Sequence, residues 1–108
     1  MGYLVYGNTT APIEVDDALL AHLRVITVTK LRRNESFALT VSAGGGLETL
    51  WIHASIPLRF IMEEELDVHR PLLVSMMDAA NSTGGLDLTR EDFALSLASA
   101  TSLHAMSA

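Results

Sequence analysis

Asp16-Asp17-Ala18-Leu19-Leu20-Ala21-His22-Leu23-Arg24-Val25-Ile26-Thr27-Val28-Thr29-Lys30-Leu31-Arg32-Arg33 is the stretch on which the fold turns. Its later part, Val25 to Thr29, is an unbroken β-branched run that would suit a strand. Its apolar side chains nevertheless recur with helical spacing. Leu19, Leu23 and Ile26, joined by Leu20, Thr27 and Leu31, make one broad stripe at a period of 3.6 residues. Asp16 and Asp17 supply N-cap chemistry at one end. Lys30, Arg32 and Arg33 put cations at the other, followed by Asn34 as a left-handed cap. The flanking pattern outweighs local propensity, so a helix is expected from about Asp17 to Arg33, and the chain is α+β.

Working outward, Tyr3-Leu4-Val5-Tyr6 and Pro12-Ile13-Glu14-Val15 are β-favouring runs separated by the turn formers of Gly7 to Ala11, which predicts an N-terminal hairpin. On the other side, Phe37, Leu39 and Val41 alternate on one face. After Gly44-Gly45-Gly46, the segment Leu50-Trp51-Ile52-His53-Ala54 alternates again, giving a second hairpin. Pro57 cannot donate to a ladder, so the hairpin is broken there, Leu50 to Met62 being either one edge strand with a bulge or two strands meeting at Ile56-Pro57, with Leu58, Phe60 and Met62 continuing the apolar face. Leu73, Met76, Met77 and Ala80 mark a second helix, with Asp67 as its cap, Pro71 in its first turn and Asn81-Ser82-Thr83-Gly84-Gly85 ending it. Thr89-Arg90-Glu91-Asp92 has capping-box spacing ahead of a short C-terminal helix carrying Phe93, Leu97 and Ala100. The expected architecture is a mainly antiparallel sheet with two main helices on one face and a short third. Residues 1–100 form one domain and 101–108 a frayed tail.

The chain has 108 residues, no cysteine and a formal net charge of −6. That length suits one domain, which can fold without metal or disulfide. Without cysteine there is no disulfide framework, thiolate nucleophile or cysteine-based zinc site, in keeping with a cytoplasmic location. The start has neither a basic n-region nor a long apolar stretch, and no transmembrane run follows, so neither export nor membrane contact is expected. Asn8, Asn34 and Asn81 head N-x-S/T triplets but are read as turn residues. A hydrophobic share of 49% is high for so short a chain and points to apolar surface closing against a second copy or a protein partner. Residues 1–54 hold four basic and five acidic side chains, residues 55–108 three and eight. An acidic chain with a single lysine disfavours nucleic acid as a general partner.

At Leu20-Ala21-His22-Leu23, Lys30-Leu31-Arg32-Arg33-Asn34-Glu35-Ser36-Phe37, Leu50-Trp51-Ile52-His53-Ala54-Ser55-Ile56-Pro57-Leu58-Arg59-Phe60 and Ala80-Asn81-Ser82-Thr83-Gly84-Gly85-Leu86, the chain resembles a family of small uncharacterised actinobacterial proteins. The likeness covers roughly residues 1 to 88. Members of that family often carry the label ATP-dependent DNA ligase, but the resemblance implies no established activity. Such ligases use the lysine of a K-x-D-G motif as the nucleophile toward ATP. Here the only lysine lies in Lys30-Leu31-Arg32-Arg33, and the chain is too short for a nucleotidyltransferase domain, so ligase chemistry is rejected.

Arg24, Lys30, Arg32 and Arg33 remain as one basic cluster. It reads as cations dressing a helix C-terminus, as a phosphate or nucleic-acid grip, or as internal partners of Glu35 and the Glu63–Glu65 run. His22, His53, His69 and His104 lack ligand spacing, so no metal is expected. Ser36 and Ser55 lack a nucleophile elbow, and no acid is spaced to orient the imidazole of His53. Gly44-Gly45-Gly46 matches no phosphate-loop pattern. No catalytic residue and no cofactor are assigned, and the reading is a non-enzymatic, homo-oligomeric interaction module, with a nucleic-acid-associated protein using the basic helix end as the first alternative and an unrecognised enzyme as the second. If Ile52 faces the core, Trp51, His53 and Ser55 form an exposed row and a candidate interface.

Overall fold

The computed structural model describes residues 1–8 and 11–98. Its elements run β1 (Gly2–Tyr6), β2 (Ile13–Val15), α1 (Asp17–Arg32), β3 (Phe37–Ala43), β4 (Gly46–Ile52), β5 (Leu58–Ile61), α2 (Arg70–Ala80) and β6 (Leu86–Asp87). A third helix, α3, is described over 91–98. The expected frayed tail, Ala100 and His104 lie outside the described residues.

The β-branched run is helical. Ile26 and Thr27 are buried while Val28 faces outward, so tertiary burial of the stripe overrides strand propensity. Asp16 caps α1 by accepting from the Ala18 N–H at 2.9 Å, and Asn34 takes the left-handed conformation at φ 58°.

The α+β class and mainly antiparallel pairing hold, and the strands divide into two three-stranded sheets, β2-β1-β5 and β4-β3-β6. The division follows from Pro57. β4 ends at Ile52, the chain turns through residues 53–57, and β5 then pairs with β1 instead of extending the hairpin, in register Leu4↔Phe60. The Gly7 N–H donates to the Pro57 carbonyl at 2.9 Å and lengthens that ladder. The hairpin β3–β4 is paired from Phe37↔Ile52 to Ala43↔Gly46, with Gly44 and Gly45 at φ 60° and 82° in the tight turn. β6 pairs with β3 in parallel, in register Leu39↔Leu86.

The inner faces of both sheets and the helices share one core of Leu4, Leu20, Leu23, Ile26, Phe37, Leu39, Ile52, Leu72, Met76, Leu86 and Phe93. The two main helices pack on each other, α1 also against β1 and α2 against β3 and β6. The outer faces stay wet: Tyr3 and Ile61 are cross-strand neighbours on one, and Leu47, Thr49 and Trp51 line up on the other.

Two local expectations are corrected. Asp67 does not cap α2. The cap position is His69, which makes no capping bond of its own, and its N–H instead donates to Nε2 of His22 at 2.8 Å. The buried His22 ring therefore holds its proton on Nδ1, which donates to the Ala18 carbonyl at 2.6 Å. Thr89 likewise does not work as a capping box: its N–H and hydroxyl both donate to the Asp87 carboxylate, at 2.9 and 2.6 Å, closing a local turn before α3. In α2 the buried residues are Leu72, Met76, Ala79 and Ala80, with Leu73 and Met77 at the margin, a slight rotation from the stripe read in the sequence.

Candidate functional site

The basic cluster at the end of α1 does not act as one surface. Lys30 lies on the buried stripe, seven residues after Leu23 and four after Ile26, and its side chain is only 5% exposed. Its ammonium donates to Oδ1 of Asn81 at 2.5 Å and to Oε1 of Glu35 at 3.3 Å, and stands 5.9 Å from the Phe37 ring centroid. Lys30 thus ties the end of α1 to the end of α2. Arg24 meets Glu65 at 3.5 Å on exposed surface. Two members of the cluster are thus paired internally, Lys30 with Glu35 and Arg24 with Glu65, and Arg32 and Arg33 are left exposed.

The α1 residues Arg24, Val28, Leu31 and Arg32 border a groove of about 540 Å³ whose other wall is Ile56, Leu58 and Phe60. Val28 is 49% exposed there. The groove lies at the margin where β5, an edge strand, meets α1. Next to it, Arg24, Phe60, Met62, Glu64 and Glu65 line a smaller depression, so the end of the groove nearest Arg24 is acidic and the end nearest Arg32 basic.

Ile52 faces the core, and Trp51, His53 and Ser55 are exposed. They are not one strand-borne row, because β4 stops at Ile52. His53 and Ser55 belong to the turn, where Nδ1 of His53 lies 2.8 Å from the Ser55 hydroxyl and accepts the Ser55 N–H at 3.1 Å. This local closure brings no carboxylate to the ring. Trp51, 56% exposed, is held by a bond from the Tyr6 hydroxyl to its carbonyl at 2.9 Å, which joins the two sheets.

Trp51 also walls an open cleft of about 520 Å³ whose lining includes Lys30, Glu35, Ser36, Asn81, Thr83 and Gly85. The sequence reading placed Lys30 among surface cations and Asn81 in a helix stop. The position of Lys30 on the apolar stripe was the signal that it points inward. Its meeting with Asn81, 51 residues away, carries no local signal.

Among the described residues no three His, Cys, Asp or Glu side chains gather as a metal site. Among them, too, no helix is long and apolar enough to cross a membrane.

No curated protein and no solved structure matches the chain. A family model matches residues 1–91, and by that match the chain belongs to DUF7882, a domain of unknown function.

Proposed function

We propose that the protein is a non-enzymatic interaction module that pairs with a second copy of itself through the groove between α1 and β5. The observation that carries this is the polarity of that groove. Its floor is apolar, Arg24 and Arg32 stand on its α1 side about 12 Å apart along the helix, and Glu64 and Glu65 flank one end only. In a two-fold pair whose axis crosses the groove at right angles the two grooves run antiparallel, so each acidic end meets the other copy's Arg32 end. β5 is an edge strand whose outer side carries no partner among the described residues, and antiparallel β5 to β5 pairing would join two three-stranded sheets into one of six. Trp51 plays no part in this contact.

Light scattering at two protein and two salt concentrations, with and without a short DNA duplex, tests the proposal. A dimer that weakens with salt, dissociates on Val28→Glu, and is weakened by Arg32→Glu at low salt with part of that loss recovered as salt screens the new repulsion, is the expected result. A monomer at every concentration refutes it. A monomer that gains mass with DNA only at low salt, and loses that gain on Arg32→Glu with Arg33→Glu, replaces it with the nucleic-acid reading.

A further inference from the structure

The cleft beside Trp51 has a composition that a structural tie alone does not require. An ammonium has three N–H donors, and Lys30 spends one on Asn81 and one on Glu35, leaving a third on a nearly buried cation that borders open space. Because Oδ1 of Asn81 faces Lys30, its amide NH₂ faces away. That NH₂ and the hydroxyls of Ser36 and Thr83, all at the cleft, make no side-chain hydrogen bond among the described residues. The cleft is therefore rich in donors, with one flat apolar wall, the indole of Trp51. Its volume of about 520 Å³ lies within the range of small-ligand sites.

The geometry points to a binding site for a small organic monoanion: a carboxylate on Lys30, with a planar apolar body against Trp51. Glu35 now stands where the carboxylate of the ligand would sit. Its 3.3 Å contact is long for a charge-assisted bond, and with its side chain 46% exposed it can turn into solvent at little cost. Exchange of one carboxylate for another keeps the local charge balanced. A phosphate dianion would add a charge that a single lysine does not offset, so the carboxylate is the matching class.

Trp51 is the only tryptophan and reports on its own wall. Its fluorescence is titrated at constant ionic strength with benzoate, benzamide and inorganic phosphate. Benzoate should give a saturable change with a Kd on the order of 1 mM, as expected for a ligand of that size. Benzamide should bind at least about tenfold more weakly, the loss of one charge-assisted contact, and phosphate should produce no saturable change. Lys30→Met should weaken benzoate by about tenfold or more. Glu35→Gln leaves Lys30 in place, removes the competing carboxylate, and should tighten benzoate about two- to fivefold. Non-saturable quenching, equal binding of benzamide, saturation by phosphate, or unchanged benzoate binding in Glu35→Gln each overturns the assignment.

Discussion

Replacing Gly85 by alanine isolates the contact that docks β6 onto β3. Gly85 has φ 75°, and a Cβ built there lies 2.6 Å from the Ala38 carbonyl oxygen and 2.9 Å from the Ala38 Cβ. Two costs add. An L-residue in the left-handed region costs roughly 1–2 kcal/mol, and displacing packed neighbours adds about 1–3 kcal/mol. The Ala38 carbonyl is backbone of β3, with Ala38 paired to Trp51 on one side and the β6 register starting at the next residue on the other, and cannot swing away as a side chain would. The sum is about 3 kcal/mol, a large fraction of the stability of a small domain. Gly45 provides the control, with φ 82° and nothing within 4 Å of its Cβ position, so Gly45→Ala meets only the backbone cost of about 1–2 kcal/mol. Urea unfolding followed at Trp51 measures both, provided the slopes match the parent. If Gly85→Ala is no more than about 0.5 kcal/mol worse than Gly45→Ala, the backbone approach of β6 to β3 is looser than described and the reasoning fails.

The remaining predictions concern ties between distant elements. His22→Ala orphans the His69 N–H at the start of α2 and empties the space of a buried ring, and should lower stability by about 2–4 kcal/mol in the same assay. Phe93 is buried in the common core although it lies beyond the residues matched by the family model, so Phe93→Ala should cost about 3–4 kcal/mol; a loss under about 1 kcal/mol would show that α3 is dispensable. Tyr6→Phe removes the bond that joins the sheets at the Trp51 carbonyl and should cost about 1 kcal/mol, with a change in tryptophan emission that reports the released strand end.

Features governed by neighbours in sequence were legible, and features governed by distant neighbours were not. The periodic stripe of α1 outweighed five β-branched residues because burial of Ile26 and Thr27 decides the conformation, and periodicity records burial. Pro57 announced a break in the second hairpin through its missing donor. It did not say where the freed strand would go, and pairing of β5 with β1 rests on contacts more than fifty residues apart. Asp67 and Thr89 were plausible caps by local chemistry alone. The N–H at the start of α2 is met by His22, 47 residues away, which no local pattern ranks, whereas the turn before α3 is closed by Asp87, two residues from Thr89, a local alternative that the capping-box spacing masked. Of the candidate site, exposure of Trp51 followed from strand alternation, whereas the cleft it walls depends on the end of α2 arriving beside Lys30.

The bond from His69 to His22 also makes one helix depend on the other. α2 has only 11 residues and no capping side chain of its own, and a helix that short is marginal in water by itself. Its first turn is completed by a ring on α1, 47 residues earlier in the chain. Docking on α1 is thus part of what orders α2, and the step that joins them is closure of a long loop rather than helix growth. β6 follows α2 in sequence and packs on α2 and β3, so its short parallel pairing with β3 should order only once α2 has docked. A peptide spanning residues 66–82 should accordingly show little helix by circular dichroism, since what orders that segment is carried on another part of the molecule.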